Sequence, residues 1–141
     1  MLENRKGFTL LDLVCWISFG SVLFALVLHP LYVSWVTEDK ANVVISVAVH
    51  EAKQAAIKQR RQTGSWPTTK EEVAAVINVM RVQFENPYEQ GQPLDFILGR
   101  PKNQYDVIAG SIRFIPEEDS LIICGYGSKG RLIKEAICPP L

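Results

Sequence analysis

The sequence has no excess of charge of either sign, because fifteen lysines and arginines are balanced by fifteen aspartates and glutamates. This balance argues against nucleic acid as the main partner. Histidine is scarce, with two residues in the chain, and no nucleophile stands in a recognisable pattern with a base. We therefore predict no catalytic site, no cofactor, and a protein that is not an enzyme.

Charge is also nearly absent from Phe8 to Leu28, a mostly apolar run in which Asp12 is the one charged residue. A run of about 18 such residues is long enough to span a bilayer. Arg5 and Lys6 precede it, which predicts a cytoplasmic N-terminus and export of the rest of the chain. The run exceeds the apolar core of a secretory signal, and no small-x-small cleavage site follows it. We predict a single pass through a membrane.

A stripe of small apolar residues continues the helical pattern beyond Pro30, which predicts a kink and not an end. Its members recur every three or four positions: Ala41, Ile45, Ala48, Ala52 and Ala55. We predict one helix from about Phe8 to Arg61, ended by Gly64 and suited by its alanines to pack against copies of itself.

The rest of the chain predicts a small α+β domain. Thr69-Lys70-Glu71-Glu72 is a capping box, which predicts a second helix over about 70–81. Short β-rich runs with brief connections then predict an antiparallel sheet. These runs are Tyr105–Ala109, Ile112–Ile115, Leu121–Cys124 and, as a fourth strand or an edge cover, Leu132–Ile137. The predicted divisions are residues 1–7, 8–32, 33–61 and 62–141: leader, membrane helix, amphipathic half of the long helix, and globular domain.

The three cysteines fall in two different settings. Cys15 lies within the apolar run, where it is a small apolar residue, while Cys124 and Cys138 lie near the C-terminus. An exported domain meets an oxidising compartment, so a Cys124–Cys138 disulfide is expected, with two free buried thiols as the alternative.

The segment Gly7-Phe8-Thr9-Leu10-Leu11-Asp12 resembles the class III signal of type IV pilins and type II secretion pseudopilins. Members of this family have a short basic leader ending in glycine, then Phe-Thr-Leu-(Leu/Ile)-Glu and about twenty apolar residues. Gly20 and Pro30-Leu31-Tyr32 are similar to the family's helix-breaking glycine and its Pro-x-Tyr. Gly64–Glu71 resembles the Gly-x-(Tyr/Trp)-Pro-Thr-Thr segment of major pseudopilins.

The resemblance implies that a prepilin peptidase cuts between Gly7 and Phe8 and methylates the new amine of Phe8. It implies that Asp12, at the position of the family's glutamate, attracts the N-terminal ammonium of a neighbouring subunit, although a snorkelling carboxylate is the alternative. The side chain of Asp12 is one methylene shorter than glutamate, which favours a minor subunit. Gly20 and Pro30 would bracket a segment that unwinds in a filament, or only kink a membrane helix.

The implied function is that of a structural subunit of a type IV pilus or a type II secretion pseudopilus. Its expected partners are copies of itself or other pilins, the prepilin peptidase, the inner-membrane assembly platform and membrane lipid, with no specific nucleic acid. After leaving the inner membrane it would form a periplasmic or extracellular filament. The alternatives are a membrane-anchored binding module that never polymerises and a pseudopilin of DNA uptake.

Two charged clusters allow further readings. Lys53, Lys58, Arg60 and Arg61 are expected to form a solvated helix face, with DNA contact or pairing to Glu38 and Asp39 of a neighbour as alternatives. The Pro116–Asp119 segment resembles the calcium loop of some major pseudopilins. A hairpin turn is the expected structure there, because calcium needs six to eight oxygen ligands.

Overall fold

Helix α1, Leu10–Thr63, carries the N-terminal half of the chain in the computed structural model, which describes residues 7–80 and 82–140. The helix continues through Pro30 and ends at Gly64, whose φ of 83° is left-handed and whose amide donates to the Arg60 carbonyl over 2.7 Å. The predicted long helix and its glycine terminator are therefore confirmed. The chain divides into two units, Met1–Val36 and Thr37–Leu141.

Helix α2, Lys70–Val79, begins at the predicted capping box. The Thr69 hydroxyl accepts the Glu72 amide over 3.3 Å, and the Glu72 carboxylate accepts the amides of Thr68 (2.6 Å) and Thr69 (3.3 Å). The helix ends at Val79; the predicted end at residue 81 lies outside the described residues. Its valines at positions 73 and 76 are buried and belong to the core.

Four strands form one sheet in the order β1-β2-β3-β4: Asp95–Leu98, Ser111–Pro116, Leu121–Tyr126 and Leu132–Cys138. The last three pair antiparallel, as expected, but β1 pairs parallel with β2. The fold is α+β, a long N-terminal helix packed on a small sheet, and the prediction of a wholly antiparallel sheet is wrong. The segment 99–110 provides the long crossover that a parallel pair requires.

The prediction of a strand over Tyr105–Ala109 is wrong because a side chain captures the backbone there. The side-chain oxygen Oδ1 of Asn103 accepts the amides of Tyr105 and Asp106 over 2.9 and 3.0 Å, which caps a short 3-10 helix at Gln104–Asp106. Local bonds of this kind compete with a sheet ladder. The true first strand is only four residues long and follows Pro93, so it gives little periodic signal.

The small-residue stripe of α1 is the core of the second unit. Its fully buried members pack with β2, β3 and α2: Ala41, Ile45, Ala48, Val49, Ala52 and Ala56. Gly125 of β3 faces this stripe, and a Cβ there would lie 2.8 Å from Val49 Cγ2 and still closer to Ile45 Cγ2. The prediction that the alanines pack against copies of the chain is therefore wrong: they bring the helix close to its own sheet.

Candidate functional site: the N-terminal segment of α1

The predicted cleavage site is exposed and lies outside regular structure. Gly7, Phe8 and Thr9 precede the helix, and the Phe8 side chain is 70% exposed. A peptidase needs an extended, accessible backbone, and the Gly7–Phe8 bond lies three residues before the helix begins at Leu10. The six residues ahead of Gly7, which make up most of the predicted leader, lie outside the described part of the chain.

Asp12 closes a capping box with Thr9. The Thr9 amide and hydroxyl donate to Asp12 Oδ2 over 3.1 and 2.8 Å, and the Asp12 amide donates to the Thr9 hydroxyl over 3.1 Å. The two side chains therefore satisfy amides that the first turn of a helix leaves unpaired. Both bonds to the carboxylate use Oδ2, so Oδ2 is held in place while Oδ1 accepts no hydrogen bond from the described residues.

The first unit presents an apolar helical surface without cover. Every residue from Gly7 to Val36 is exposed, and the helix contains an 18-residue window long and apolar enough to cross a membrane. The helix is continuous through both predicted breakers, Gly20 and Pro30, and a Cβ at Gly20 would meet nothing within 4 Å. Their unwinding in a filament stays a prediction.

The two C-terminal cysteines do not form the predicted disulfide. Cys124 and Cys138 are both free and buried. Cys138 lies opposite Leu121 and Cys124 opposite Glu135, so three strand positions separate the thiols and place them on opposite faces of the sheet. That separation, about 10 Å along the strand, exceeds what a disulfide can bridge, so the prediction is wrong. Burial raises the pKa of each thiol.

A polar cluster that the sequence did not predict is centred on Glu38. Its Oε1 accepts the hydroxyls of Ser128 (2.6 Å) and Tyr88 (3.4 Å), and its Oε2 accepts Arg131 Nη2 at 2.9 Å. Ser128 and Arg131 lie 90 and 93 residues away, so no local pattern could have revealed the cluster. Because Glu38 binds side chains of its own chain, it is not available to pair with the basic cluster of a neighbour.

No protein-family model, no curated protein and no solved structure matches this chain.

The remaining candidate sites take ordinary structural roles. Of the predicted basic cluster, Arg60 stacks on the Trp66 ring, 4.4 Å from its centroid, while Lys58 and Arg61 line a groove of about 570 Å³ beside the end of α2. Among the described residues no group of three or more His, Cys, Asp or Glu is placed to hold a metal ion.

Proposed function

We propose that the chain is a structural subunit of a type IV pilus or a type II secretion pseudopilus, cut after Gly7 and assembled through the first half of α1. One observation carries the proposal: an uncovered apolar helix begins with a carboxylate fixed by the residue at its N-cap. Residues 7–12 also match the family's processing signal, as described above.

The uncovered surface needs a partner. Contiguous exposed apolar surface of this extent is typical of a membrane segment or of an interaction site. Lipid covers it in the membrane, and the helices of other subunits would cover it in a filament. The fold fits this use, because the second unit has its own core and needs no contribution from the first half of the helix.

The carboxylate of Asp12 is out of place in a simple anchor. Aspartate costs about 2.5–3.5 kcal/mol at the centre of a membrane helix, so it is retained where it has a role or a partner. The capping bond from Thr9 orients Oδ2, and Oδ1 stays available to a cation. After cleavage, the amine of Phe8 on a staggered neighbouring subunit would supply that cation.

Processing is the first test. The full-length chain is co-expressed with a prepilin peptidase, and its mass is measured with and without the enzyme. We expect the loss of residues 1–7 and the addition of one methyl group at the amine of Phe8. An intact N-terminal Met1 in the presence of an enzyme that processes a known prepilin would refute the cleavage.

Assembly is the second test, and Asp12→Asn separates pairing from capping, because it loses the charge but keeps an oxygen that can accept from Thr9. If pairing matters, Asp12→Asn should assemble as poorly as Asp12→Ala. Asp12→Ala should be processed normally but enter filaments poorly, whereas Asp12→Glu retains both the charge and the capping geometry and should assemble. Normal incorporation of Asp12→Ala would contradict the pairing role. A membrane-anchored binding module that never polymerises would give no cross-links between copies from a photoreactive side chain at position 16.

A further inference from the structure

The second half of α1 has one exposed face, which we call the basic ridge. Between positions 40 and 61 its exposed residues recur at every third or fourth position: Lys40, Val43, Val47, His50, Gln54, Lys58 and Arg61. This spacing places them on a single face, opposite the alanines that pack on the sheet. The ridge is about 32 Å long at 1.5 Å per residue.

The exposed side chains of the ridge include two lysines, one arginine and one histidine, and no aspartate or glutamate. The half-buried Glu51 lies beside them and lines the same groove as Lys58 and Arg61. Within the described part of the chain none of the basic side chains of the ridge makes an ion pair. Val43 and Val47, 64% and 46% exposed, lie between the cations, so the ridge combines positive charge with uncovered apolar surface.

The opposite charge lies in the connection from β2 to β3, which we call the acidic turn: Glu117, Glu118 and Asp119. The Glu117 amide donates to the Ser120 carbonyl over 2.9 Å and closes the turn. Glu117 pairs with Arg100 at 2.5 Å, while Glu118 and Asp119 are exposed and make no ion pair with any described residue.

The acidic turn lies level with the end of α1. The Trp66 indole Nε1 donates to the Asp119 carbonyl over 3.1 Å, and Arg60 of the last helical turns stacks on the same ring. The turn therefore lies at the far end of the domain and beside its own helix. Since the ridge faces away from the sheet, most of it cannot be reached by the turn of the same chain.

We propose that the acidic turn of one copy docks on the basic ridge of the next. This rests on the proposed function, because assembly through the first half of α1 would bring the second units of neighbouring copies side by side. A shift of up to about 32 Å brings the turn of one copy opposite some part of its neighbour's ridge. The contact joins two different surfaces, so it repeats from copy to copy and forms an open array.

The ridge suits this occupant better than nucleic acid. A row of cations attracts phosphates as well as carboxylates, but the two valines offer nothing to a phosphate backbone. The chain itself supplies two exposed, unpaired acids, Glu118 and Asp119, at the level of the end of α1, and its net charge of zero provides no general attraction for nucleic acid.

The test uses paired cysteines in the full-length, membrane-inserted chain with its three native cysteines replaced by alanine. Glu118→Cys is combined with a cysteine at each of the seven ridge positions in turn, and mild oxidation is followed by non-reducing electrophoresis. We expect disulfide-linked dimers and higher oligomers at one or two neighbouring ridge positions. The controls pair Glu118→Cys with a cysteine at Ser46 or Lys53, which lie off the ridge.

Failure of this contact can be distinguished from failure of assembly. A photoreactive side chain at position 16 reports on packing of the first half of α1 in the same samples. Cross-links at position 16 without any ridge cross-link above the controls would overturn the docking and leave the proposed function standing. Absence of both would overturn both.

Charge reversal gives an independent readout and addresses nucleic acid. In the chain that carries Glu118→Cys, Lys58→Glu and Asp119→Lys should each lower the yield of ridge cross-links about two- to fivefold, as expected for an exposed ion pair, and the double reversal should restore it. Failure of the double reversal to restore the yield would contradict the pairing. If Lys58→Glu instead abolishes binding of a fluorescent duplex DNA while cross-linking is unchanged, the ridge serves nucleic acid and the docking is wrong.

Discussion

Substituting Gly125 by alanine tests how α1 packs on the sheet. Gly125 lies in β3 and faces the helix, and an added Cβ would contact Ile45 Cγ2 far inside van der Waals distance and lie 2.8 Å from Val49 Cγ2. Both valine and isoleucine are fully buried and β-branched, so neither side chain can easily rotate away. The helix or the strand must shift to admit one methyl group.

Whether Gly125→Ala lowers or raises the free energy of unfolding shows whether Gly125 lies this close to the helix. In an open strand, replacing glycine by alanine stabilises by roughly 0.5–1 kcal/mol, because the unfolded chain loses conformational freedom. Overpacking of a filled core costs roughly 1–3 kcal/mol. For Gly125→Ala we therefore expect a net loss of about 1–2 kcal/mol in the free energy of unfolding. Lys134, which pairs with Gly125 across the sheet and is exposed, is the matched control. Lys134→Ala should change the free energy by less than about 0.5 kcal/mol.

Trp66 supplies the readout, since it is 7% exposed and belongs to the core. In a background where the two exposed tryptophans are phenylalanine, urea unfolding of the detergent-solubilised chain can be followed by Trp66 fluorescence. Ile45→Ala removes the methyl group that meets the new Cβ, so its combination with Gly125→Ala should cost less than the sum of the two single changes, by about 0.5–3 kcal/mol. A Gly125→Ala variant as stable as the parent chain, or an additive double variant, would refute this packing.

Four further predictions concern the second unit. Cys124 and Cys138 should both be alkylated in the unfolded chain without reductant and should react slowly in the folded chain, because burial raises the pKa of each thiol; a mass lacking two adducts would reveal a disulfide. Thr69→Ala should cost about 0.5–2 kcal/mol of stability through the lost cap, measured by the same urea titration. Hydrogen bonds from the backbone amides of Thr68 and Thr69 lower the pKa of the Glu72 carboxyl group. The carboxylate therefore contributes its full share of stability at neutral pH, and this contribution is lost as the pH falls through the lowered pKa. Glu72→Gln should remove this acid-dependent loss of stability. Glu38→Ala removes the acceptor of three side chains and should speed hydrogen exchange in the turn before β4, and unchanged exchange would contradict its anchoring role.

Local signals predicted the helices well. The end of α1 at Gly64 and the start of α2 at Thr69 depend on bonds within five residues, so the sequence alone contains the information. The same holds for Asp12, which forms its cap with a residue three positions away, although the family resemblance drew attention to pairing between subunits and the cap itself was missed.

Nonlocal pairing explains what the sequence did not predict. Strand β1 is four residues long, and it forms a strand because it pairs in parallel with β2 on the other side of the crossover. The register of β3 and β4 puts Cys124 and Cys138 on opposite faces, and a shift of one residue would have changed the faces. The spacing of the cysteines along the chain does not reveal that register, and an oxidising compartment cannot join two thiols that lie on opposite faces of a sheet.

The two halves of α1 now have different partners, and this limits how copies can associate. The alanines of the second half are covered by the chain's own sheet, so a contact between copies along that stripe would require unpacking the core. The surfaces of α1 that remain are its first half, where every residue from Leu10 to Val36 is exposed, and the basic ridge. The first half offers a continuous apolar surface, which does not by itself fix how far one copy is shifted along another. The ridge carries charges at separate positions, which can fix that shift. In an assembly that uses both surfaces, the apolar first half of α1 would supply the binding free energy. Asp12 and the basic ridge would set the shift between neighbouring copies.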